Sequence, residues 1–533
     1  MRSAEEIGRG LARPRQARPI RPGERIHVVG AAGAGASAAV LLAHHAGAGV
    51  TGCDAGGPSA YTAAAEAIGI ALAWEHHPDH VVEEGRARVD RLAVTKALTA
   101  VAPNHPELAA ARAARIPVEP WQQVIADAAA TQGGRLVGVA GTHGKSTSAG
   151  WLVHILAGAG RDPGGFVGAL LRDGDGLPST ARWGNGDVFV VEADEYAGNF
   201  DPYHPSVGLL LDAEWDHPDV FADEASVLEA FESWIRRMQP WPRWGGEAPV
   251  LVANGSDPGT ARILERLRDA NIRLVAYAPA DEPSGKGTPA RLAGFRTRLG
   301  AAHPVGAVAV GSGAWRLLGL PEGDLEVTFG IPGRHNVANG IGVAATAAVL
   351  GVPPEAIAAG LSSFTGVGRR LERKGDVAGV LVLDDYGHHP TAIAATLAAV
   401  RERHPGRRVW AVYEPLTYHR TAAMLEGFAE VLASADMAVV ADIWPGRDPD
   451  RTIVSAADLA AAVNARAPGR ASAPGSVEST AEHLSGRVES GDVVLVMGGG
   501  RSYVIAERLV ELLDERERRG GKQDDGKGRP SER

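Results

Sequence analysis

The stretch Val137 to Ser148 reads Val-Gly-Val-Ala-Gly-Thr-His-Gly-Lys-Ser-Thr-Ser, and it constrains the fold more than any other part of the chain. The apolar run Leu136 to Ala140 predicts a buried parallel strand, a glycine-rich turn follows, and Ser146 onward predicts a helix. That order of elements makes a phosphate cradle. Gly141 and Gly144 let the backbone aim N–H groups inward, Lys145 adds a mobile cation, and Ser146 offers a hydroxyl to Mg²⁺. ATP is the expected occupant, held along Gly141, Thr142, His143, Gly144, Lys145, Ser146 and Thr147. Gly141 stands only two residues before Gly144, where the usual phosphate loop has four. The competing reading is a glycine turn that merely joins strand to helix.

With 533 residues and about 150 residues per domain, three or four domains are expected. The chain carries 54 basic and 64 acidic residues, a net charge of −10, so no global attraction to nucleic acid or to an anionic membrane is expected. The single cysteine, Cys53, excludes an internal disulfide and any Cys-x-x-Cys metal site. That usage suits a reducing cytoplasm, the expected location. No run of about 18 apolar residues is present to span a bilayer. Residues 1–25 hold Arg2, Arg9, Arg13, Arg15, Arg18, Arg21 and Arg25 without an apolar signal segment, and read as a poorly ordered basic arm. Residues 514–533, charged and glycine-rich, read as a solvated tail.

The first folded segment, residues 26–130, opens with the short strand Ile26 to Gly30 and a turn, Gly33-x-Gly35-x-x-Ala38, leading into an Ala/Leu-rich helix. Such a turn seats a pyrophosphate on a helix N-terminus, and Asp54, after the next strand, stands where such folds place a ribose-binding acid. The glycines alone leave NAD, FAD, UDP and plain close packing open. The second segment, residues 131–330, contains the ATP loop and two strands that end in acidic clusters, Glu192-Ala-Asp-Glu195 and Asp212-Ala-Glu-Trp-Asp-His217. Ligands of open parallel sheets bind at the carboxyl ends of the strands, so both clusters should flank the ATP loop. Glu192 and His217 are candidate metal ligands, whereas Asp194 and Glu195 could equally form a solvated loop. Val250 to Asn254 and Leu274 to Tyr277 read as further strands, and Glu282 to Pro289 as exposed turns.

The third segment, residues 331–513, has four apolar runs separated by helical patterns, again a doubly wound sheet. Polar clusters end these runs: Asp384-Asp-Tyr-Gly-His-His-Pro390, Glu414-Pro-Leu-Thr-Tyr-His-Arg420 and Gly498-Gly-Gly500. The expected class is therefore α/β in three domains: an N-terminal Rossmann-like domain, a central phosphate-loop ATPase with a parallel sheet, and a C-terminal Rossmann-like doubly wound sheet.

From about Ile26 to Leu513 the chain resembles the Mur ligase family. The resemblance is carried by the Gly30 to Ser37 loop, Gly141-Thr-His-Gly-Lys-Ser-Thr, Glu192-Ala-Asp-Glu, Asp216-His217, Pro332-Gly-Arg-His-Asn, Arg369-Arg-Leu-Glu and Asp384-Asp-Tyr-Gly-His-His-Pro, in that order. It implies an ATP- and Mg²⁺-dependent amide ligase of peptidoglycan precursor synthesis, joining L-alanine to the carboxylate of UDP-N-acetylmuramate through an acyl-phosphate. Lys145 would hold the β- and γ-phosphates, Ser146 and Glu192 the first Mg²⁺, and His217 a second metal beside the acyl-phosphate. His335, Asn336, Asn339, Arg370 and Asp384 would face the nucleotide, and Gly33, Gly35, Ser37 and Asp54 the UDP moiety. Tyr386, His388 and Arg420 would lie at the amino-acid site, with Lys145, His217, His388 and Arg420 expected to be catalytic. One departure concerns the acceptor. Glu414-Pro415-Leu416-Thr417 stands where L-alanine ligases show Gln-Pro-His, and a murein tripeptide is the alternative amine. A non-catalytic nucleotide-binding regulator is the alternative of another class.

Overall fold

The computed structural model describes residues 7–172, 176–241, 246–279, 304–311, 313–446, 448 and 450–524. The expected turns at Glu282 to Pro289 lie outside them. The chain divides into two compact units, one of residues 1–331 and 335–368, the other of residues 332–334 and 369–533.

The first unit holds two sheets. The N-terminal one comprises β1 (Arg25–Val29), β2 (Gly49–Cys53), β3 (Ala71–Ala73), β4 (Arg91–Val94) and β5 (Val118–Pro120), all parallel in the order β3-β2-β1-β4-β5. Order reverses beside β1, so the crevice of this Rossmann-like sheet opens at the turn after it. Helix α1 (Ala34–His45) follows that turn and packs with α2 (Trp121–Gln132).

The second sheet has ten strands: β6 (Arg135–Ala140), β7 (Gly164–Leu171), β8 (Ser179–Arg182), β9 (Val188–Ala193), β10 (Val207–Leu210), β11 (Val250–Asn254), β12 (Arg273–Pro279), β13 (Val305–Ala309), β14 (Ala314–Leu318) and β15 (Leu325–Thr328). Their order is β8-β7-β9-β6-β10-β11-β12-β13-β14-β15, parallel from β7 through β13 and antiparallel at both margins. β6 sits centrally because Val137, Val139 and Ala140 are fully buried, which a strand covered on both faces requires. Helix α3 (Lys145–Gly158) leaves its carboxyl end.

Two expectations about boundaries are corrected here. The third domain does not begin at residue 331: α4 (Arg334–Val349) and α5 (Pro354–Ser363) bury Ile341, Val343, Ala344, Leu361 and the following Phe364 in the same core as Trp151, Leu209 and Tyr277. Nor is the segment from residue 7 to 25 a loose arm. Arg15 pairs with Asp127 at 2.6 Å and with Glu119 at 3.1 Å, Arg18 pairs with Glu24 at 2.6 Å, and Ile20 is buried. Arg91 bridges the same three carboxylates from within, and each is at least nine-tenths buried, so the segment is fastened by a shared charge network.

The second unit is a six-stranded sheet of β16 (Glu372–Val377), β17 (Val380–Asp385), β18 (Val409–Glu414), β19 (Met437–Ala441), β20 (Ala471–Gly475) and β21 (Val493–Gly498), ordered β16-β17-β21-β18-β19-β20, with β16 antiparallel. Separate apolar cores cover its two faces. Among the flanking helices are α6 (Pro390–Arg403) and α7 (Ser502–Asp524). The latter carries helix ten residues past the expected start of the tail at 514, with Leu509 and Leu513 buried in the core.

Candidate active site

Gly144 has φ +76° and forms the N-cap of α3, so the turn after β6 enters the helix through a left-handed residue. A β-carbon there would stand 2.8 Å from Asn339 Nδ2, which brings α4 directly against the loop. The ammonium of Lys145 donates to Gly141 O at 2.6 Å, to Thr142 O at 3.3 Å and to Glu195 Oε2 at 2.8 Å, with Asp194 Oδ1 at 3.7 Å. In this state it is folded back on its own loop, and the acidic pair stands where phosphate oxygens would compete for it.

Each strand end adds a group. Glu192, on β9, accepts from Ser146 Oγ at 3.1 Å and from Gly168 N at 2.6 Å. Asp194, Glu195 and His217 put one ligand atom each within 4.8 Å of one another, and His217 Nε2 lies 3.8 Å from Glu195 Oε1. Glu195 is 1 % exposed and its Oε1 has no hydrogen-bond partner. Burial pushes its carboxyl up to about 7, although the Lys145 charge opposes the rise. Burial also acts to raise Asp194, but Lys145 and His217 outweigh it and hold that carboxylate below its usual range. His217 has φ +55° and is held by its own N–H to Asp216 Oδ1 at 2.6 Å and by the ring of Tyr196, 4.9 Å away. His143 donates its backbone N–H to Asp212 Oδ1 at 2.8 Å, and its Nε2 pairs with Glu214 Oε2 at 2.9 Å. Burial works to lower the imidazole, but Glu214 and the neighbouring acids raise it above its ordinary value.

Sequence reasoning singled out Glu192 and His217 and left Asp194 and Glu195 open, yet the cluster around Lys145 is built from the latter pair. A second residue it missed is Lys96, which donates to Ala197 O at 2.8 Å and Gly198 O at 2.6 Å. That bond ties the N-terminal sheet to the turn after Glu195, where Ala197 has φ +48°. Burial lowers Lys96 to about 8. A charged residue just after the apolar run ending at Val94 is its only sequence signal.

Around the N-terminal crevice the expected residues also make contacts within the protein. A β-carbon on Gly35 would lie 2.2 Å from the Trp121 ring, so this glycine admits α2 against α1. Ser37, 1 % exposed, donates to Tyr61 O at 2.5 Å. Asp54 accepts from Ala32 N at 3.0 Å and Gly56 N at 2.8 Å, fixing the loop that contains Gly33.

In the second unit, Arg369 donates to Asp384 Oδ2 at 3.1 Å, Gly498 O at 2.9 Å and Ser502 Oγ at 2.7 Å. Its guanidinium and that of Arg370 each stand 5.2 Å from the ring centre of Tyr386, whose ring meets His388 edge-on at 5.3 Å. Arg370, Asp384, Tyr386 and His388 thus share the carboxyl end of β17, and Arg420 is buried after β18. His388 Nδ1 lies 3.0 Å from Tyr386 O. Glu414, 3 % exposed, is pushed up to about 7 by burial, and its Oε2 has no hydrogen-bond partner. Leu416 packs on Gly499, where a β-carbon would meet its Cδ2 at 2.9 Å.

Family models match almost the whole chain: "Mur ligase family, catalytic domain" over residues 25–132, "Mur ligase middle domain" over 139–348, and "Mur ligase, glutamate ligase domain" over 369–500. A UDP-N-acetylmuramate–L-alanine ligase of Frankia casuarinae is 36% identical over 516 residues, 92% of this chain and 98% of that protein. One of Kineococcus radiotolerans is 35% identical over 92% of this chain and 97% of its own length. Among solved structures, the UDP-N-acetylmuramate-alanine ligase of Thermotoga maritima aligns with TM-score 0.70 at 22% identity, over 93% of this chain and 99% of that one. A murein peptide ligase of Psychrobacter arcticus aligns with TM-score 0.67 at 22% identity, over 92% and 99%. The phosphate cradle, the sheet orders and these matches agree: the chain belongs to the Mur ligase family.

Proposed function

We propose that this chain is an ATP-dependent ligase that joins L-alanine to the carboxylate of UDP-N-acetylmuramate in peptidoglycan precursor synthesis. The observation that carries the choice of substrates is the end-to-end likeness to relatives bearing that name, at 31–36% identity. The geometry supports the chemistry. Lys145 is charged and held by groups that γ-phosphate oxygens can replace, and the loop N–H groups of α3 complete the cradle. We assign the UDP-sugar to residues 26–130, ATP to residues 131–330 with His335, Asn336 and Asn339, and the amino acid to the second unit through Tyr386, His388 and Arg420. Arg370 and Asp384 are assigned to the nucleotide.

Mg²⁺ fits the donors present. Ser146 and Glu192 offer oxygens 3.1 Å apart, and Glu195 directs an unpartnered buried oxygen toward His217. Ser146 and Glu192 would hold one ion and His217 a second, with Glu195 as an additional oxygen donor beside His217. Bound there, the ions supply charge neutralisation at the phosphates. Lys145 positions the transferred phosphoryl group and stabilises its charge, a step needing placement and electrostatics rather than a covalent enzyme intermediate. No helix among the described residues is long and apolar enough to cross a membrane.

A second acceptor, a murein tripeptide, is favoured by one feature: the apolar Leu416 on Gly499, beside the buried Glu414. ADP release with ATP, Mg²⁺ and UDP-N-acetylmuramate, compared for L-alanine, glycine, L-serine and L-Ala-γ-D-Glu-diaminopimelate, decides between them. Preference for L-alanine is expected. Preference for the tripeptide assigns the chain to cell-wall recycling, and no turnover with any acceptor refutes the ligase reading.

A further inference from the structure

Away from the phosphate loop, the N-terminal sheet gathers an unusual set of side chains. His27 lies on β1, Cys53 ends β2, His76 and His80 come from the loop beyond β3, and Glu107 opens the helix Pro106–Ala113. His27 is 1 % exposed, and Cys53 and Glu107 are fully buried. His27 Nε2 stands 3.3 Å from Cys53 Sγ, and Sγ stands 3.2 Å from both oxygens of Glu107. His80 Nδ1 is 2.7 Å from Glu107 Oε1, and His27 Nε2 is 3.9 Å from it. One ligand atom from each of these four residues falls within 4.8 Å of the other three. Among the described residues, Glu107 has no lysine or arginine in ion-pair reach, only His27, His76 and His80.

A tetrahedral zinc ion with Zn–N and Zn–O near 2.0 Å and Zn–S near 2.3 Å sets its ligand atoms roughly 3.3–3.7 Å apart. The sulfur separations already approach that range, and the His80–Glu107 contact must open by roughly 0.6 Å. His27 also has the outer support a metal-bound histidine needs, because its Nδ1 pairs with Thr51 Oγ1 at 2.7 Å and leaves Nε2 to the cluster. An independent sign lies alongside. His105 is 7 % exposed, neither of its ring nitrogens has a hydrogen-bond partner, and its ring centre is 4.4 Å from that of His76. Buried polar nitrogens left unmatched are costly unless something binds them.

We propose that His27, Cys53, His80 and Glu107 form a binding site for a divalent transition metal, flanked by the imidazoles of His76 and His105. One thiolate, two imidazoles and one carboxylate select Zn²⁺ over Mg²⁺. On binding, the Cys53 S–H bond breaks, its proton leaves to solvent and the thiolate bonds the metal. The ion staples the end of β2, immediately before Asp54, to the helix that begins at Pro106. It thereby fixes the floor of the N-terminal crevice without touching the Lys145 cluster.

The test uses the full chain stripped with a chelator and titrated with Co²⁺. Because Cys53 is the only cysteine, a thiolate-to-cobalt charge-transfer band reports this site alone, whatever ion the acidic cluster around Lys145 takes up. The expected result is a band that saturates at one equivalent, collapses on adding Zn²⁺, and disappears in Cys53→Ser. Glu107→Gln and His80→Ala are expected to weaken Co²⁺ at least tenfold, and Zn²⁺ is expected to raise the thermal midpoint of wild type but not of Cys53→Ser. If folded wild type shows no charge-transfer band even in excess Co²⁺, the cluster is a hydrogen-bonded knot and the proposal fails. It fails equally if the band survives unchanged in both Glu107→Gln and His80→Ala. The wild-type titration stands even if a variant does not fold, and neither result depends on ligase turnover.

Discussion

Replacing Lys145 by Met keeps most of the side chain's unbranched stem and removes its charge from a site where Glu195 is 1 % exposed. Three donated hydrogen bonds are lost, to Gly141 O, Thr142 O and Glu195 Oε2. Leaving a buried acceptor unsatisfied costs roughly 1–3 kcal/mol. Above that constant loss lies one that depends on pH. The Glu195 carboxyl, raised to about 7, binds its proton more tightly in the folded chain than in the unfolded one. Its stabilising contribution is complete below the unfolded value and is lost as pH rises through the folded one. Lys145 limits that loss by favouring the ionised form. Without Lys145 the carboxyl stays protonated, and holding it so costs about 1.4 kcal/mol for each pH unit above its ordinary value. At pH 6 wild type and variant carry the same cost from Glu195. At pH 8 the variant carries more, on the order of 1 kcal/mol. Urea unfolding followed by tryptophan fluorescence should therefore show the gap between wild type and Lys145→Met widening from pH 6 to pH 8. Adding Glu195→Gln should abolish the widening, while ADP release stays absent in both variants and UDP-sugar binding is retained. Parallel stability profiles for wild type and Lys145→Met would refute this account of the pair.

Other perturbations test other parts of the molecule. Gly144→Ala forces a β-carbon into φ +76° and to within 2.8 Å of Asn339 Nδ2; it should cost at least about 1 kcal/mol in urea unfolding and weaken ATP binding. Trimming Asn339 to Ala in that background should return part of the stability but not the nucleotide affinity. Glu414→Gln should raise the thermal midpoint at pH 8 and leave it unchanged at pH 5, because the wild-type carboxyl, raised to about 7, loses stability as pH rises through that value. The gain is bounded at ~3 kcal/mol. Arg91→Met leaves Glu24, Glu119 and Asp127 to Arg15, Arg18 and Arg21, all of them more exposed than Arg91. It should cost roughly 3–5 kcal/mol, and limited proteolysis should then cut within residues 7–25, which are expected to resist cleavage in wild type.

The α/β architecture was legible because each central strand announces itself as a short apolar run with polar residues at its carboxyl end, and β6 followed by Gly-Thr-His-Gly-Lys-Ser fixes both the strand and what it presents. What a linear reading missed depended on partners distant in sequence. Gly33-x-Gly35 has the same spelling whatever packs beside it, so the approach of Trp121 to Gly35 could not be read from it. The arginines of the N-terminal segment resemble a solvated arm until Glu119, Asp127 and Arg91 are brought beneath them. Pro332-Gly333 looks like a domain start, but the small residues of α4 carry no clear helical period, so its allegiance to the core around Trp151 is invisible before packing. Asp194 and Glu195 lie just beyond β9, where strand alternation no longer decides which side chain turns inward. That choice is made by the left-handed Ala197 and by Lys96, which clasps its carbonyl from the neighbouring sheet. Motifs in this chain thus specify the backbone cradle, and long-range contacts select which charges are drawn into it; Lys96→Met, with the cradle's own residues untouched, should displace Glu195 and reduce ADP release.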